Sequence, residues 1–262
     1  MSCLQCAASS PGPCPRCGAP AASPAANRRA AAGVIASFSV VLLLIVLRVP
    51  LTQVERERRS CEGGGARDCL NIGLHHERGT GAAKDPARAL GYFRRGCELG
   101  LAVGCSFQAD LLSWGHGEGD QALITALYRR ACDGGHAHAC AQAAERLKGG
   151  RGAPRDLDAA RALLTRSCDG GDLLGCNDLA VLYDHGQGTA RDPARAAALF
   201  QRACDSDIGL ACLNLARVLS AGKDLPRDPP RERRLLERAC KLKQPEACKW
   251  LSAGTPNAGA AR

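Results

Sequence analysis

Between residues 176 and 207 apolar side chains fall at Leu179, Leu182 and Tyr183, with Ala180 as a small contact position, and the pattern stops at Gly186 and Gly188. It resumes at Leu199, Phe200 and Ala203 and closes at Cys204. The first run has helical spacing. Asp192 followed by Pro193 then predicts a second helix, because aspartate caps free amides and proline is pre-set for the first helical position. The segment is therefore expected to be a helix–loop–helix hairpin.

The same pattern recurs along the chain. Cys61, Cys97, Cys132, Cys168, Cys204 and Cys240 are separated by 36, 35, 36, 36 and 36 residues. Cys69, Cys105, Cys140, Cys176, Cys212 and Cys248 follow at the same steps. Asp85, Asp120, Asp156, Asp192 and Asp228 each precede a closing cysteine by 12 residues, and Gly79, Gly115, Gly150, Gly186 and Gly222 each follow an opening one by 10. The single short step lies between Gly115 and Asp120, in the loop joining the two helices of one hairpin. A fixed period of this size marks a solenoid, so residues 61–250 are read as five hairpins and a terminal half-repeat. Residues 251–262 are read as a tail.

The stretch "NIGLHHERGTGAAKDPARALGYFRRGCELG" (71–100) resembles the Sel-one-like repeat, a branch of the tetratricopeptide superfamily. The resemblance rests on Gly73 in the first helix, the Gly79–Gly81 turn, Asp85 at the start of the second helix, and the closing Gly100. It implies an all-α, right-handed superhelical solenoid. The paired cysteines are similar to those of secreted cysteine-rich repeat proteins of the Hcp type, in which a disulfide joins successive repeats. That implies Cys61–Cys69, Cys97–Cys105, Cys132–Cys140, Cys168–Cys176, Cys204–Cys212 and Cys240–Cys248.

The hairpin arrangement agrees with such pairing. One cysteine ends the second helix of a repeat, the other begins the first helix of the next, and a short link can bring their Cα atoms within the ~4.4–6.8 Å that a disulfide needs. The competing reading is cysteine as a small buried hydrophobe, yet no pair is broken by alanine or serine. Zinc fits less well, since each pair supplies two thiolates and the pairs lie one repeat apart. Disulfides require an oxidising space.

Composition adds the remaining regions. Aromatic residues are 3% of the 262, which suits close packing through small side chains. The net charge of +9 is spread among interleaved aspartates without an aromatic-and-basic platform, which argues for solvated helix faces and against nucleic acid. Residues 1–29 are rich in Ala, Pro and Ser, and 30–47 are eighteen uncharged, mostly apolar residues. With Arg48 reaching the interface, 30–51 is read as a transmembrane signal anchor. The long leader and the absence of a small-residue cleavage site argue against a removed signal peptide. Residues 52–60 are read as a juxtamembrane linker or helix.

Flanking arginines do not decide orientation. The expected oxidation of the repeats does, placing the N-terminus in the cytoplasm and the repeats in the periplasm or another extracytoplasmic space. Cys3, Cys6, Cys14 and Cys17 form C-x2-C-x7-C-x2-C, two knuckles that could present four thiolates to Zn²⁺; CPRCG resembles the second knuckle of short zinc ribbons, while the seven-residue spacer is shorter than most ribbons use. Palmitoylated or free cysteines and a further disulfide cluster remain open there.

Some Hcp-type relatives are described as penicillin-binding or β-lactamase-like, so a cell-wall hydrolase is one alternative. Ser220–Lys223 matches S-x-x-K, but no S-D-N or K-T-G accompanies it. His75, His76 and Glu77 are adjacent and lack the spacing of a metalloprotease helix. His136 and His138 sit in a variable link. No catalytic constellation results. The favoured reading is a scaffold that binds a protein or peptide through variable positions of the first helices: Asn71, Phe107, Asp110, Gln142, Glu145, Asn177, Asp178, Asn214 and Arg217. Neutral variation on a solvated face is the competing explanation. A cytoplasmic chaperone-like scaffold is the further alternative.

Overall fold

The computed structural model describes residues 52–116, 120–222 and 225–253, all of them helix, turn or link. The cysteine motif at residues 3–17, the apolar run at 30–51 and most of the tail lie outside them. Among the described residues no helix is long and apolar enough to cross a membrane.

Among the described residues twelve helices follow one another. They are α1 (Gln53–Glu62), α2 (Ala66–Arg78), α3 (Pro86–Glu98), α4 (Ala102–Ser113), α5 (Gln121–Asp133) and α6 (Ala137–Lys148). Then come α7 (Leu157–Asp169), α8 (Leu173–His185), α9 (Pro193–Asp205), α10 (Gly209–Ala221), α11 (Pro229–Lys241) and α12 (Pro245–Ala253). The even-numbered helices are the first members of the hairpins (A helices) and the odd-numbered ones the second (B helices). Each helix packs on the next in the chain, as a solenoid requires.

The expected caps are present. Asp85, Asp120, Asp156, Asp192 and Asp228 each accept a hydrogen bond from the backbone N–H three residues on, which satisfies an otherwise orphaned donor of α3, α5, α7, α9 or α11. The glycine closing each of the first five A helices, such as Gly186 at φ 65°, takes the left-handed conformation.

Two boundaries differ from expectation. Each A helix begins three residues before its opening cysteine, so that cysteine lies in the first helical turn. Residues 53–62 form α1, a helix whose last turn holds Cys61 and which stands where a B helix would, so the array opens on a half-repeat as well as closing on one. Its sequence QVERERRSCE offers almost no apolar stripe, and helix–helix packing at the buried Cys61 supplies what the periodicity does not show.

All six disulfides join the last turn of a B helix to the first turn of the following A helix, with Cα–Cα distances from 4.4 Å (Cys168–Cys176) to 4.8 Å (Cys240–Cys248). Between them, the third residue after each closing cysteine is left-handed: Gly64, Gly100, Gly135, Gly171, and then Asp207 and Lys243.

The main core is a continuous seam from Cys97 to Ala247, with two smaller clusters towards the N-terminus, one around Cys61 and Cys69 and one around Ala89, Phe93 and Leu111. Ala109, Ala144, Ala180 and Ala216 on the A helices are fully buried, and Tyr128, Leu164, Phe200 and Leu236 on the B helices fill the space that those small residues leave. Close approach between helices not adjacent in the chain occurs for α2 with α4, α6 with α8 and α8 with α10. These are all A helices, so the A layer lies on the tighter, inner side of the curve.

Candidate docking face

An A helix packs against B helices on one flank and against neighbouring A helices on its sides, which leaves one stripe the least covered, although on it Phe107 stacks on Phe93 of α3 and Asp110 bonds Tyr128 of α5. Numbered from the opening cysteine, that stripe takes positions −2, +2, +5 and +9, spaced as one face of an α-helix. On α4 it is Val103, Phe107 and Asp110, with Trp114 just past the helix end, and on α8 it is Leu174, Asp178, Val181 and His185. Position +4 is buried in all five hairpins.

Most of the variable positions singled out from the sequence fall on this stripe. Asn71, Phe107, Gln142, Asp178 and Asn214 occupy +2, while Asp110, Glu145 and Arg217 occupy +5. Asn177 occupies +1 and is only 2% exposed. Its side chain accepts from Asn214 Nδ2 at 3.0 Å and donates to Asp178 Oδ1 at 3.1 Å, tying α8 to α10 rather than facing outward. The stripe also contains residues the sequence reading passed over: Trp114 is 64% exposed, Leu174 48% and Leu210 42%. Leu99 and Leu123, off the stripe, are each 42% exposed, so it is the alignment of Trp114, Leu174 and Leu210 on one face, and not exposure alone, that suggests docking.

The middle of the face is acidic. Asp110 is half-buried and accepts from the Tyr128 hydroxyl at 2.6 Å, and burial raises its pKa above the ordinary carboxylate range. Burial likewise raises Asp178. Neither is ion-paired to a lysine or arginine among the described residues. Glu145, between them, is already paired with Lys148 at 2.9 Å and Arg151 at 3.7 Å.

The histidines and the serine considered as catalytic serve the framework. His76 Nδ1 meets the Ala83 carbonyl at 3.1 Å and its ring stacks on Tyr92, while His75 meets the Thr80 carbonyl. His138 Nδ1 lies 3.6 Å from Asp172 Oδ2, and Ser167 donates to that same oxygen at 3.0 Å. The carboxylate thus stands between serine and histidine, and no imidazole is placed to take the serine proton. Ser220 is buried on α10. Among the described residues no cluster of three metal-ligating side chains forms; Cys3, Cys6, Cys14 and Cys17 lie outside them. A surface hollow lined by Arg129, Arg155, Asp156 and Asp158 sits beside the B helices, where its charges offset one another.

A second repeated device holds the stack together. The residue two before each closing cysteine is arginine, and each one from the second onward reaches back one repeat. Arg95 Nε donates to Cys61 O at 3.1 Å, Arg130 Nη2 to Cys97 O at 3.0 Å and Arg166 Nη2 to Cys132 O at 2.9 Å. Arg202 reaches Cys168 O at 3.3 Å, and Arg238 reaches Asp205 O at 3.0 Å. Each guanidinium thereby caps the free carbonyls, and the negative end, of the preceding B helix. The strict recurrence of arginine was a visible signal of this role.

No curated protein matches the sequence at a significant level. Two solved structures share the architecture. A protective antigen of uropathogenic Escherichia coli, c5321, displaying an SLR fold, superposes with a TM-score of 0.71 at 21% identity over 76% of this chain and 43% of its own. This chain thus spans less than half of that antigen's length. A Sel1 repeat protein from Oxalobacter formigenes superposes with a TM-score of 0.68 at 23% identity, covering 72% of this chain and 76% of its own. The sequence profile of the Sel1 repeat matches residues 66–101, 137–172, 173–207 and 209–243, passing over the hairpin with the shortened loop. These matches take in more than half of the chain, which belongs to the Sel1 repeat family.

Proposed function

We propose that the chain is a membrane-anchored, envelope-facing repeat scaffold that binds a protein or peptide through the exposed stripe of its A helices, in an adaptor or assembly role. Sel1 repeats are generally protein-interaction modules and typically not enzymes, and the observation that carries the reading here is the stripe itself. Five A helices in turn present side chains, Trp114, Leu174 and Leu210 among them, on a stack whose joints are fixed by disulfides and arginine caps. A framework stiffened in this way loses little freedom on binding. The six disulfides support an oxidising compartment for the repeats, and the apolar run at 30–47 supports an anchor. The four cysteines at residues 3–17 are assigned to Zn²⁺ on the cytoplasmic side.

Two measurements test this. A photo-crosslinking residue at Leu174, in cells, is expected to give an adduct with a partner that the same residue at Leu123, exposed on α5, does not give. Equal or absent adducts at both positions overturn the docking reading. Thiol counting on protein from its native membrane is expected to find twelve oxidised cysteines and four reduced, metal-protected ones. Sixteen free thiols would instead place the whole chain in the cytoplasm.

A further inference from the structure

The chemistry of the exposed stripe restricts what can dock there. Trp114, Leu174 and Leu210 require apolar partner groups to leave water. Asp110 and Asp178 are half-buried; His136 and His138 face the first and Lys148 lies near the second, but neither carboxylate forms an ion pair with lysine or arginine among the described residues, so an apolar segment laid over them would add a desolvation cost that these neighbours offset only in part. A segment that brings its own cations removes that cost. We infer that the face takes an extended segment of a partner protein in which basic residues alternate with apolar ones, the basic groups meeting Asp110 and Asp178 and the apolar groups meeting Trp114 and Leu174. This deepens the docking reading and rests on it.

Spacing sharpens the assignment. Asp110 is on α4 and Asp178 on α8, two A helices apart. At roughly 10 Å per packed helix the carboxylates are about 20 Å apart. An extended chain covers that distance in about six residues, so the two cations should lie about six residues apart. Glu145, between them, is neutralised by Lys148 and Arg151 and makes no third demand. The chain as a whole carries a net charge of +9, so its overall field repels a basic peptide. Attraction of such a peptide is therefore evidence of a local acidic site.

The test uses the purified full chain with disulfides intact and synthetic twelve-residue peptides of leucine and serine carrying two lysines six residues apart. Companion peptides carry glutamine or glutamate at the lysine positions. Binding is read from the emission of Trp114, with a Trp114→Phe variant identifying its signal. The lysine peptide is expected to bind at least about tenfold more tightly than the glutamine peptide. The double variant Asp110→Asn, Asp178→Asn keeps the shape of both side chains and their bonds from Tyr128 and Asn177, and it is expected to abolish that difference. A preference for glutamine or glutamate, or a lysine preference that survives the double variant, overturns the charge assignment and leaves the docking face standing. If no peptide perturbs Trp114 and a Leu174 crosslink is also absent, the docking face itself falls.

Discussion

Arg166 on α7 donates Nη2 to the carbonyl of Cys132, 34 residues earlier, at 2.9 Å, while its Nη1 meets Asp133 Oδ1 at 2.9 Å. The guanidinium spans the joint between two repeats and caps the end of α5. Arg166→Met keeps the aliphatic stem and removes the fork. Because the side chain is half exposed, water replaces part of what is lost, and the expected cost is about 1 kcal/mol. Arg166→Lys restores charge but not the planar fork and should fall between the two. Urea unfolding with the disulfides intact measures both, and an Arg166→Met variant as stable as the parent would show that the cap is incidental.

Glu232 on α11 occupies a position that is Ala89, Ile124, Ala160 and Ala196 in the earlier B helices, all fully buried. It is 1% exposed, and its Oε1 finds no hydrogen-bond partner. A buried acceptor left unpaired costs about 1–3 kcal/mol. Glu232→Met preserves length and removes the carboxyl group, and it is expected to raise stability by about 1 kcal/mol, read as a higher thermal midpoint. A loss of stability would mean that the carboxylate holds a buried partner.

Recurrence decided what could be read from the chain. The disulfide joints, the aspartate caps and the buried small positions each appear five or six times, and no single repeat has to be interpreted alone. The α1 helix was not legible as part of the array because it occurs once and is almost wholly polar, apart from Val54 and Cys61. The docking stripe was legible only in part, because side chains one position apart on a helix point about 100° away from each other. Variability at +1, +2 and +5 does not reveal which of these faces outward. Packing does: it turns Asn177 into the core and holds Leu174 and Trp114 out. The arginine caps were plain as a pattern, but where a long flexible side chain ends depends on the neighbouring repeat.

The link between the third and fourth hairpins should respond to pH. His138 is raised by its bond to Asp172, and Asp172 is lowered by His138. A histidine raised in the fold contributes fully below its ordinary value, and that contribution is lost as pH rises through the raised one. The depressed carboxylate contributes above its ordinary value and loses that contribution as pH falls through the lowered one. The pair is therefore strongest between about pH 4 and 6.5. His136 is lowered by burial and by the neighbouring His138, so it opposes folding at the same acid pH, and Asp110 also faces the pair. The comparison is best made in a His136→Gln background. There His138→Gln should cost more stability at pH 5.5 than at pH 8, by under about 1 kcal/mol for a half-exposed pair. A cost independent of pH would assign His138 a packing role alone.

Gly73 holds the position that is alanine in the other four hairpins, so Gly73→Ala looks like a consensus improvement. Helix propensity favours it by about 1 kcal/mol. The packing opposes it, because a methyl group on Gly73 would run into the ring of Phe93, which is fully buried and stacked on Phe107 with centroids 5.1 Å apart. A fully buried aromatic ring stacked on Phe107 cannot swing away as the end of a lysine could, so either α2 lifts from α3 or the stack with Phe107 opens. Overpacking of this kind costs about 1–3 kcal/mol, which outweighs the propensity gain. Gly73→Ala is therefore expected to be neutral at best and to destabilise by up to about 2 kcal/mol. Combining it with Phe93→Leu, the residue type of the same position in α7 and α11, should recover much of that loss. If Gly73→Ala alone raises the thermal midpoint, the ring yields more easily than its surroundings indicate. If the double variant is no better than the single one, the obstruction is the backbone of α3 and not the phenylalanine ring.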